Sequence, residues 1–329
     1  MNVLITGASG FLGQAVVRAV VDAGHDVVAM VRPTAKVETL GWSSDRVQVL
    51  RGDLRQRGDW CDSLDGVEVI VHLAAAPSGD ISEQFAGTVV ATENLLHCLP
   101  RSLVRFVHIS SFSVYDFTAV PAEGTIDEDT ALETRPDLRD AYTTTKLIQE
   151  QLVRTACQQA EVPIVVMRPG AIFGPGKDWA YGAALRPSTL NLIFSPNATF
   201  RLTYVANCAD AIALAIAADR AANRTINIVD DLLPTHLGYF KLFRSAGANA
   251  GRAVPVPWRL LALAGRSIEL FNDKALGGRG RLPEFMAYRR MQARWKPFAY
   301  SNAAAKDLLG WNPAVTVPDA VRATLANSQ

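Results

Sequence analysis

Through the first two thirds of this 329-residue chain, short runs built almost wholly of apolar residues alternate with longer amphipathic ones. NVLITG, starting at Asn2, keeps its apolar residues consecutive, so it reads as a strand buried on both faces. FLGQAVVRAVVDAG, Phe11 to Gly24, repeats its apolar residues at helical spacing and closes on a glycine suited to a helix end. The same two patterns recur. HDVVAMVR, RVQVLRGD, VEVIVHLAA, LVRFVHISSFSVY, VPIVVMRPG and RTINIVDD read as further strands. Ile81 to Leu99, Ala141 to Ala160 and the alanine-rich stretch around Asp210 to Ala218 read as helices. Strands apolar on both faces must be covered twice, and intervening helices let them run parallel. The expected fold class is α/β: a doubly wound parallel sheet of the Rossmann type, with ligands outside the carboxyl ends of its strands.

Beyond Pro169 the regularity falls away. GPGKDWAYGAALRPSTLN and GGRGRLPEFMAYRRMQARWKPFAYSN are rich in Gly, Pro, Arg and aromatic residues, which predicts a smaller, irregular cap. Residues 1–170 with about 203–233 are expected to form the sheet domain, and about 171–202 with 234–329 the cap. With 20% charged residues and a net charge of +1, the chain offers no broad basic surface for nucleic acid or membrane. Cys61, Cys98, Cys157 and Cys208 contain no CxxC pair, which predicts free thiols in a reducing compartment. His25, His72, His97, His108 and His236 lack metal-ligand spacing, so no metal is expected. His72 is expected to pack beside a bound ligand. No leader precedes the first strand, and no apolar run reaches the roughly 18 residues of a membrane span, so the expected location is cytoplasmic.

The turn GASGFLG follows the first strand and opens the first helix. Gly7, Gly10 and Gly13 permit close approach of backbone to a pyrophosphate, and the helix start after Ser9, at Phe11 and Leu12, offers unpaired N–H groups. The spacing is one residue longer than the usual dinucleotide fingerprint. At the tip of the second strand an NAD-binding chain carries a carboxylate for the ribose. This chain has Arg32 there, which suits a 2′-phosphate and predicts NADP(H), with NAD(H) possible. Asp53 and Leu54 after the third strand, Leu73, Ala74 and Ala75 after the fourth, and Arg168 and Pro169 later complete the expected cofactor contacts.

DAYTTTK sets Tyr142 and Lys146 four residues apart, on one helix face. A phenol of pKa about 10 is a poor base at neutral pH, but an ammonium about 4 Å away favours phenolate by up to about 4 kcal/mol. That predicts a phenol drawn toward 7 and able to exchange protons. ISSFSVY brings Ser111 to the carboxyl end of its strand, where a hydroxyl can hold a substrate oxygen.

Taken in order, TGASGFLG, GDL, VIVHLAA, ISSFSVY, AYTTTK, RPGAIFGPG and AKDLLGWNP resemble the extended short-chain dehydrogenase/reductases, the NAD(P)-dependent epimerase/dehydratase-like enzymes, over nearly the whole chain. The resemblance implies Tyr142 as acid/base, Lys146 on the nicotinamide ribose and tuning Tyr142, and Ser111 as the oxygen's partner. Departures narrow the reaction. Phe112 and Ser113 stand where the dehydratases carry an Asp–Glu pair, which disfavours water elimination. Thr88 replaces the family's asparagine and Ala91 its glycine, altering a helix position that holds water. In FRLTYV, Arg201 is shifted by one from the epimerases' diphosphate arginine, turning it to the other strand face. The C-terminal segment is more similar to the reductase branch. Phe112, Ser113, Arg201 and Arg294 are the candidate substrate contacts, with Arg289 and Arg290 also within reach of an anionic substrate. The expectation is an NADP(H)-dependent reductase or dehydrogenase of a secondary alcohol/ketone. The alternatives are an NAD-dependent nucleotide-sugar 4-epimerase and a non-catalytic NADP-binding sensor. A homodimer through helices 81–99 and 141–160 is implied by resemblance to many relatives.

Overall fold

The computed structural model describes residues 1–42, 45–186, 189–276 and 287–326. The cap stretch at 277–286 lies outside them. In chain order the strands begin with β1 (Asn2–Thr6), β2 (Asp26–Val31), β3 (Val47–Arg51), β4 (Val69–His72) and β5 (Arg105–Ile109). β6 (Thr125–Ile126), β7 (Ile164–Pro169), β8 (Ala171–Phe173), β9 (Leu190–Phe194) and β10 (Leu202–Tyr204) follow. The last are β11 (Arg224–Ile228), β12 (Arg252–Val256) and β13 (Ala299–Tyr300). The helices are α1 (Phe11–Asp22), α2 (Ile81–Phe85), α3 (Ala91–Leu96), α4 (Ala141–Gln159) and α5 (Val205–Ala217), then α6 (His236–Ser245), α7 (Trp258–Leu276), α8 (Tyr288–Trp295), α9 (Ala303–Leu309) and α10 (Val317–Ala326).

Seven strands form one parallel sheet in the order β11-β7-β5-β4-β1-β2-β3. Side chains alternate across it as strand geometry requires. Val3 and Ile5 pack with Val16 and Val20 of α1 and Ile212 of α5, whereas Leu4 packs with Leu95 of α3 and Val153 of α4. Both faces are covered, so the continuous apolar runs are explained. The chain proceeds from β1 outward through β2 and β3, then returns to place β4 on the other side of β1. That reversal opens a crevice at the carboxyl ends of β1 and β4. The remaining strands pair two by two: β10 with β8, β12 with β9, and β13 with β6.

Two expectations are corrected. The helix expected over 81–99 starts on an Asp80–Glu83 capping box but widens to a π-helix over Ala86–Val90 before resuming as α3. Cys61 and Cys98 are not free thiols: they form a disulfide, with Cα atoms 5.4 Å apart. The fold brings the turn after β3 against the end of α3, a proximity that a sequence separation of 37 cannot announce. Cys157 and Cys208 are free and buried. Among the described residues no helix is long and apolar enough to cross a membrane.

Candidate active site

The glycine turn occupies the crevice. Gly7 has φ +69°, and a Cβ on it would stand 3.1 Å from the Ala74 backbone nitrogen, so β1 and the segment after β4 meet there at backbone distance. A Cβ on Gly13 would fall 2.2 Å from the Gly7 carbonyl oxygen. Gly10 is the first boundary residue of α1 and no side chain caps the helix, which leaves its N–H groups for an anion. These features fit a pyrophosphate: the glycines let the turn close tightly against the segment after β4, and the helix start presents N–H groups that no side chain caps.

Beside it, at the tip of β2, Ser9, Arg32, Thr34, Ala35, Lys36, Thr39 and Leu40 line a pocket of about 250 Å³. Two cations and three hydroxyls converge with no carboxylate in the lining. Arg32 was legible in sequence; Thr34, Lys36 and Thr39 were not, because only the fold of the loop after β2 turns them toward Arg32. Asp53 lies close enough for Arg32 to act on it, but Arg55 grips its carboxylate at 2.6–3.1 Å and holds its pKa below the usual carboxylate range. Leu54 is buried in the core.

The catalytic candidates rise from α4 and the end of β5. Asp140 caps α4 by accepting the Thr143 N–H at 2.7 Å. The Thr144 and Thr145 hydroxyls donate back to the Asp140 and Ala141 carbonyls at 3.2 and 2.9 Å. The Asp140 cap satisfies one of the first turn's unpaired N–H groups, and the two hydroxyls are spent on backbone carbonyls inside the turn. Burial pushes the Tyr142 phenol above its ordinary pKa, and the neighbouring Ser111 hydroxyl pulls it back down. The Lys146 ammonium is not among the groups acting on that phenol. It donates to the Ile109 carbonyl at 2.6 Å and to Gln149 Oε1. The phenol drawn toward 7 by its lysine is therefore not what the structure contains. Lys146 itself is the displaced base: burial lowers it to about 7, against the opposing pull of Glu150. Ser111 caps a short turn, its hydroxyl oxygen accepting the Ser113 N–H at 3.1 Å.

Other expected contacts are corrected. Arg168 does not offer its guanidinium to a cofactor: it is buried and donates to both oxygens of Glu150, at 2.6 and 3.2 Å. Phe112 is a core residue packed against Tyr115 and Tyr300, with ring centroids 5.5 and 5.6 Å away. Ser113 keeps a buried hydroxyl without a hydrogen-bond partner. Arg289 is committed to Glu133 and Asp116 at 2.6 and 3.1 Å. His72 is fully buried in a hydrogen-bond network and held to a pKa of about 3 by burial.

Arg201 and Arg294 come together on the cap side. Arg201 Nη1 donates to the Ala293 carbonyl at 3.0 Å, and its guanidinium stands 5.1 Å from the Phe117 ring centre. Burial lowers the Arg294 pKa and the like charge of Arg201 lowers it further. Both also act on His236, whose pKa burial has brought to about 3 and whose ring stacks on Phe200 at 4.5 Å. Among the described residues neither arginine forms an ion pair. Asp140, which caps α4, lies in electrostatic range of both Arg294 and Tyr142.

Among known proteins, the chain is 28% identical to the 2-alkyl-3-oxoalkanoate reductase of Stenotrophomonas maltophilia, over all of this chain and 99% of the other. It is 27% identical to the 3beta-hydroxysteroid-dehydrogenase/decarboxylase isoform 1 of Arabidopsis thaliana, over 98% of this chain and 78% of that one. In structure it matches the UDP-glucuronic acid 4-epimerase from Bacillus cereus in complex with NAD with a TM-score of 0.73, at 21% identity, over 99% and 98% of the two chains. That last likeness is one of fold. The model of the NAD dependent epimerase/dehydratase family matches residues 3–228, a span that takes in the glycine turn, Ser111, Tyr142, Lys146 and all seven strands of the sheet but β1's first residue. The chain is an NAD(P)-dependent enzyme and belongs to the NAD dependent epimerase/dehydratase family.

Proposed function

We propose that the enzyme is an NADP(H)-dependent reductase or dehydrogenase acting on a secondary alcohol/ketone that carries an anionic group. The observation that carries this reading is the pocket at the tip of β2, where Arg32 and Lys36 stand with Ser9, Thr34 and Thr39 and no carboxylate. A 2′-phosphate has only acceptor oxygens and negative charge, which this lining of donors matches. A bare ribose diol would leave the two cations unanswered.

Residues 1–170 with about 203–233 hold the dinucleotide in this reading, and about 171–202 with 234–329 complete the substrate side. The nicotinamide supplies or accepts hydride when bound. Tyr142 gives the carbonyl oxygen its proton on reduction and takes it back on oxidation. Ser111 donates a hydrogen bond to that oxygen. Lys146, as ammonium, holds the nicotinamide ribose through the one N–H that the Ile109 carbonyl and Gln149 leave free. Arg201 and Arg294 receive the substrate's anionic group. Two guanidiniums near the capped start of α4 that form no ion pair among the described residues support this, as does likeness to a reductase named for an oxoalkanoate.

Cofactor titration tests the reading. NADPH should bind about 10- to 100-fold more tightly than NADH, the worth of one or two charge-assisted hydrogen bonds. Arg32→Asp should reverse the order. Equal affinities in the unaltered enzyme would sink the reading, and tightly retained NAD(H) with a nucleotide sugar would favour the epimerase. In Tyr142→Phe, turnover of any accepted ketone should fall about 10²- to 10⁴-fold with NADPH affinity unchanged.

A further inference from the structure

The π-helix carries Thr88 where the family resemblance leads one to expect an asparagine. An amide nevertheless reaches this region, from α4. Gln149, one turn beyond Lys146, is fully buried between three elements. Its Oε1 accepts from Lys146 Nζ. Its Nε2 donates to the Ala74 carbonyl after β4 at 3.0 Å and to Thr92 Oγ1 on α3 at 2.8 Å. An ammonium only donates and a carbonyl only accepts, so the amide has a single orientation.

The neighbours follow by elimination. Thr92 gives its own proton to the Thr88 carbonyl at 2.6 Å, within the π-helix. Its oxygen therefore accepts from His72 Nε2 at 2.8 Å. Thr6 Oγ1 accepts the Ala74 N–H at 3.3 Å and donates to His72 Nδ1 at 2.7 Å. His72 is thus the neutral Nε2–H tautomer. The 3.2 Å approach of Gln149 Nε2 to His72 Nε2 is two donors converging on one hydroxyl oxygen. Every donor of Gln149, Thr92, His72 and Thr6 in this chain has an acceptor, and Lys146 commits two of its three, an arrangement that fixes side chains more firmly than separate pairs do.

We propose that Gln149 is a positioning residue that holds the Lys146 ammonium in place and keeps it charged. The proposal rests on the reading of Lys146 as the lysine of the active site. On α4, Glu150 favours the ammonium. Arg168 on β7 and Arg154 on α4 pair with that carboxylate. His72 on β4 and His108 on β5 face the lysine as neutral rings. With Lys146 already brought down by burial, loss of one of its two carbonyl acceptors moves it further the same way.

Gln149→Met keeps length and volume and removes the acceptor. Side-chain NMR of isotope-labelled lysine, with Lys146 assigned by its loss in Lys146→Met, reads the midpoint without reference to activity. The midpoint should fall by about one pH unit in Gln149→Met and rise by about as much in Gln149→Glu. The alkaline limb of kcat/KM should move with it, because activity that needs the ammonium is lost as pH passes that midpoint. A folded Gln149→Met whose Lys146 midpoint stays put overturns the proposal. If that variant does not fold, Gln149→Glu decides, and an unmoved midpoint there overturns it equally. A displaced midpoint in a protein that reduces no ketone would sink the functional reading and leave this one standing.

Discussion

Glu150, beneath the active site, and Asp230, at the end of β11 where the sheet meets the cap, are carboxylates buried to the same degree, each 3% exposed. Burial pushes both pKa values up. For Glu150 it is outweighed by Arg168 at 2.6 and 3.2 Å, the Ser110 hydroxyl at 2.6 Å and Arg154 at 2.9 Å, and the carboxyl ends near 2. Asp230 accepts the Tyr204 N–H at 2.8 Å through one oxygen and has no hydrogen bond on the other; the Tyr204 N–H and the Asn207 side chain, both uncharged, do not offset its burial, and it ends near 7. Depth is equal and the two shifts run in opposite directions, so partners decide. The region that must keep a negative charge one turn from Lys146 has two guanidiniums facing it; the junction that only needs a helix start held in place has none.

Arg168→Met gives the largest effect. It leaves Glu150 buried with Arg154 and Ser110 alone, and removes a guanidinium stacked 4.7 Å from the Tyr115 ring centre. Breaking one side of a buried pair costs about 3–5 kcal/mol. The denaturant midpoint should drop accordingly with its slope unchanged. A loss under about 1 kcal/mol would mean that Glu150 is not held by Arg168, and the contrast with Asp230 would fail.

The same contrast shows what was readable in advance. The sheet, the glycine turn and the Ser111, Tyr142, Lys146 set were legible because backbone geometry ties each to a local pattern: apolar periodicity, a turn that excludes Cβ, an i,i+4 spacing. The fate of each arginine was not. Arg168 meets Glu150 across 18 residues and Arg289 meets Glu133 across 156, so motif position assigned Arg168 to a cofactor while topology assigned it to a carboxylate. Phe112 was misread for a similar reason, since its burial depends on Tyr300 from the far end of the chain. The phenol's pKa was misjudged because spacing puts Lys146 on the right face and cannot reveal that Ile109 and Gln149 claim its protons. The disulfide likewise required knowledge of which loop lies over which helix end.

Asp230→Asn gives the smaller effect and tests the other half of the comparison. In the unfolded chain this carboxyl titrates near 3.9. In the folded one it titrates near 7. Between those values the folded state binds a proton that the unfolded state has released. Its contribution is therefore full below about pH 4 and disappears as pH rises through 7. Three pH units set a ceiling of about 4 kcal/mol, and water reaching the carboxylate on opening reduces that to roughly 2. Glu150 works in the opposite sense and in a different window: its contribution is present above its unfolded value near 4.3 and is lost as pH falls toward 2. Asparagine cannot ionise yet keeps an oxygen for the Tyr204 N–H. The variant's stability relative to the unaltered enzyme should therefore climb from pH 5 to pH 8 by roughly 2 kcal/mol, with Lys146 and the other groups cancelling in the difference. A flat difference across that range would place Asp230 in its ionised form at neutral pH, and a carboxylate so placed would need a cation or donor that Oδ1 does not have.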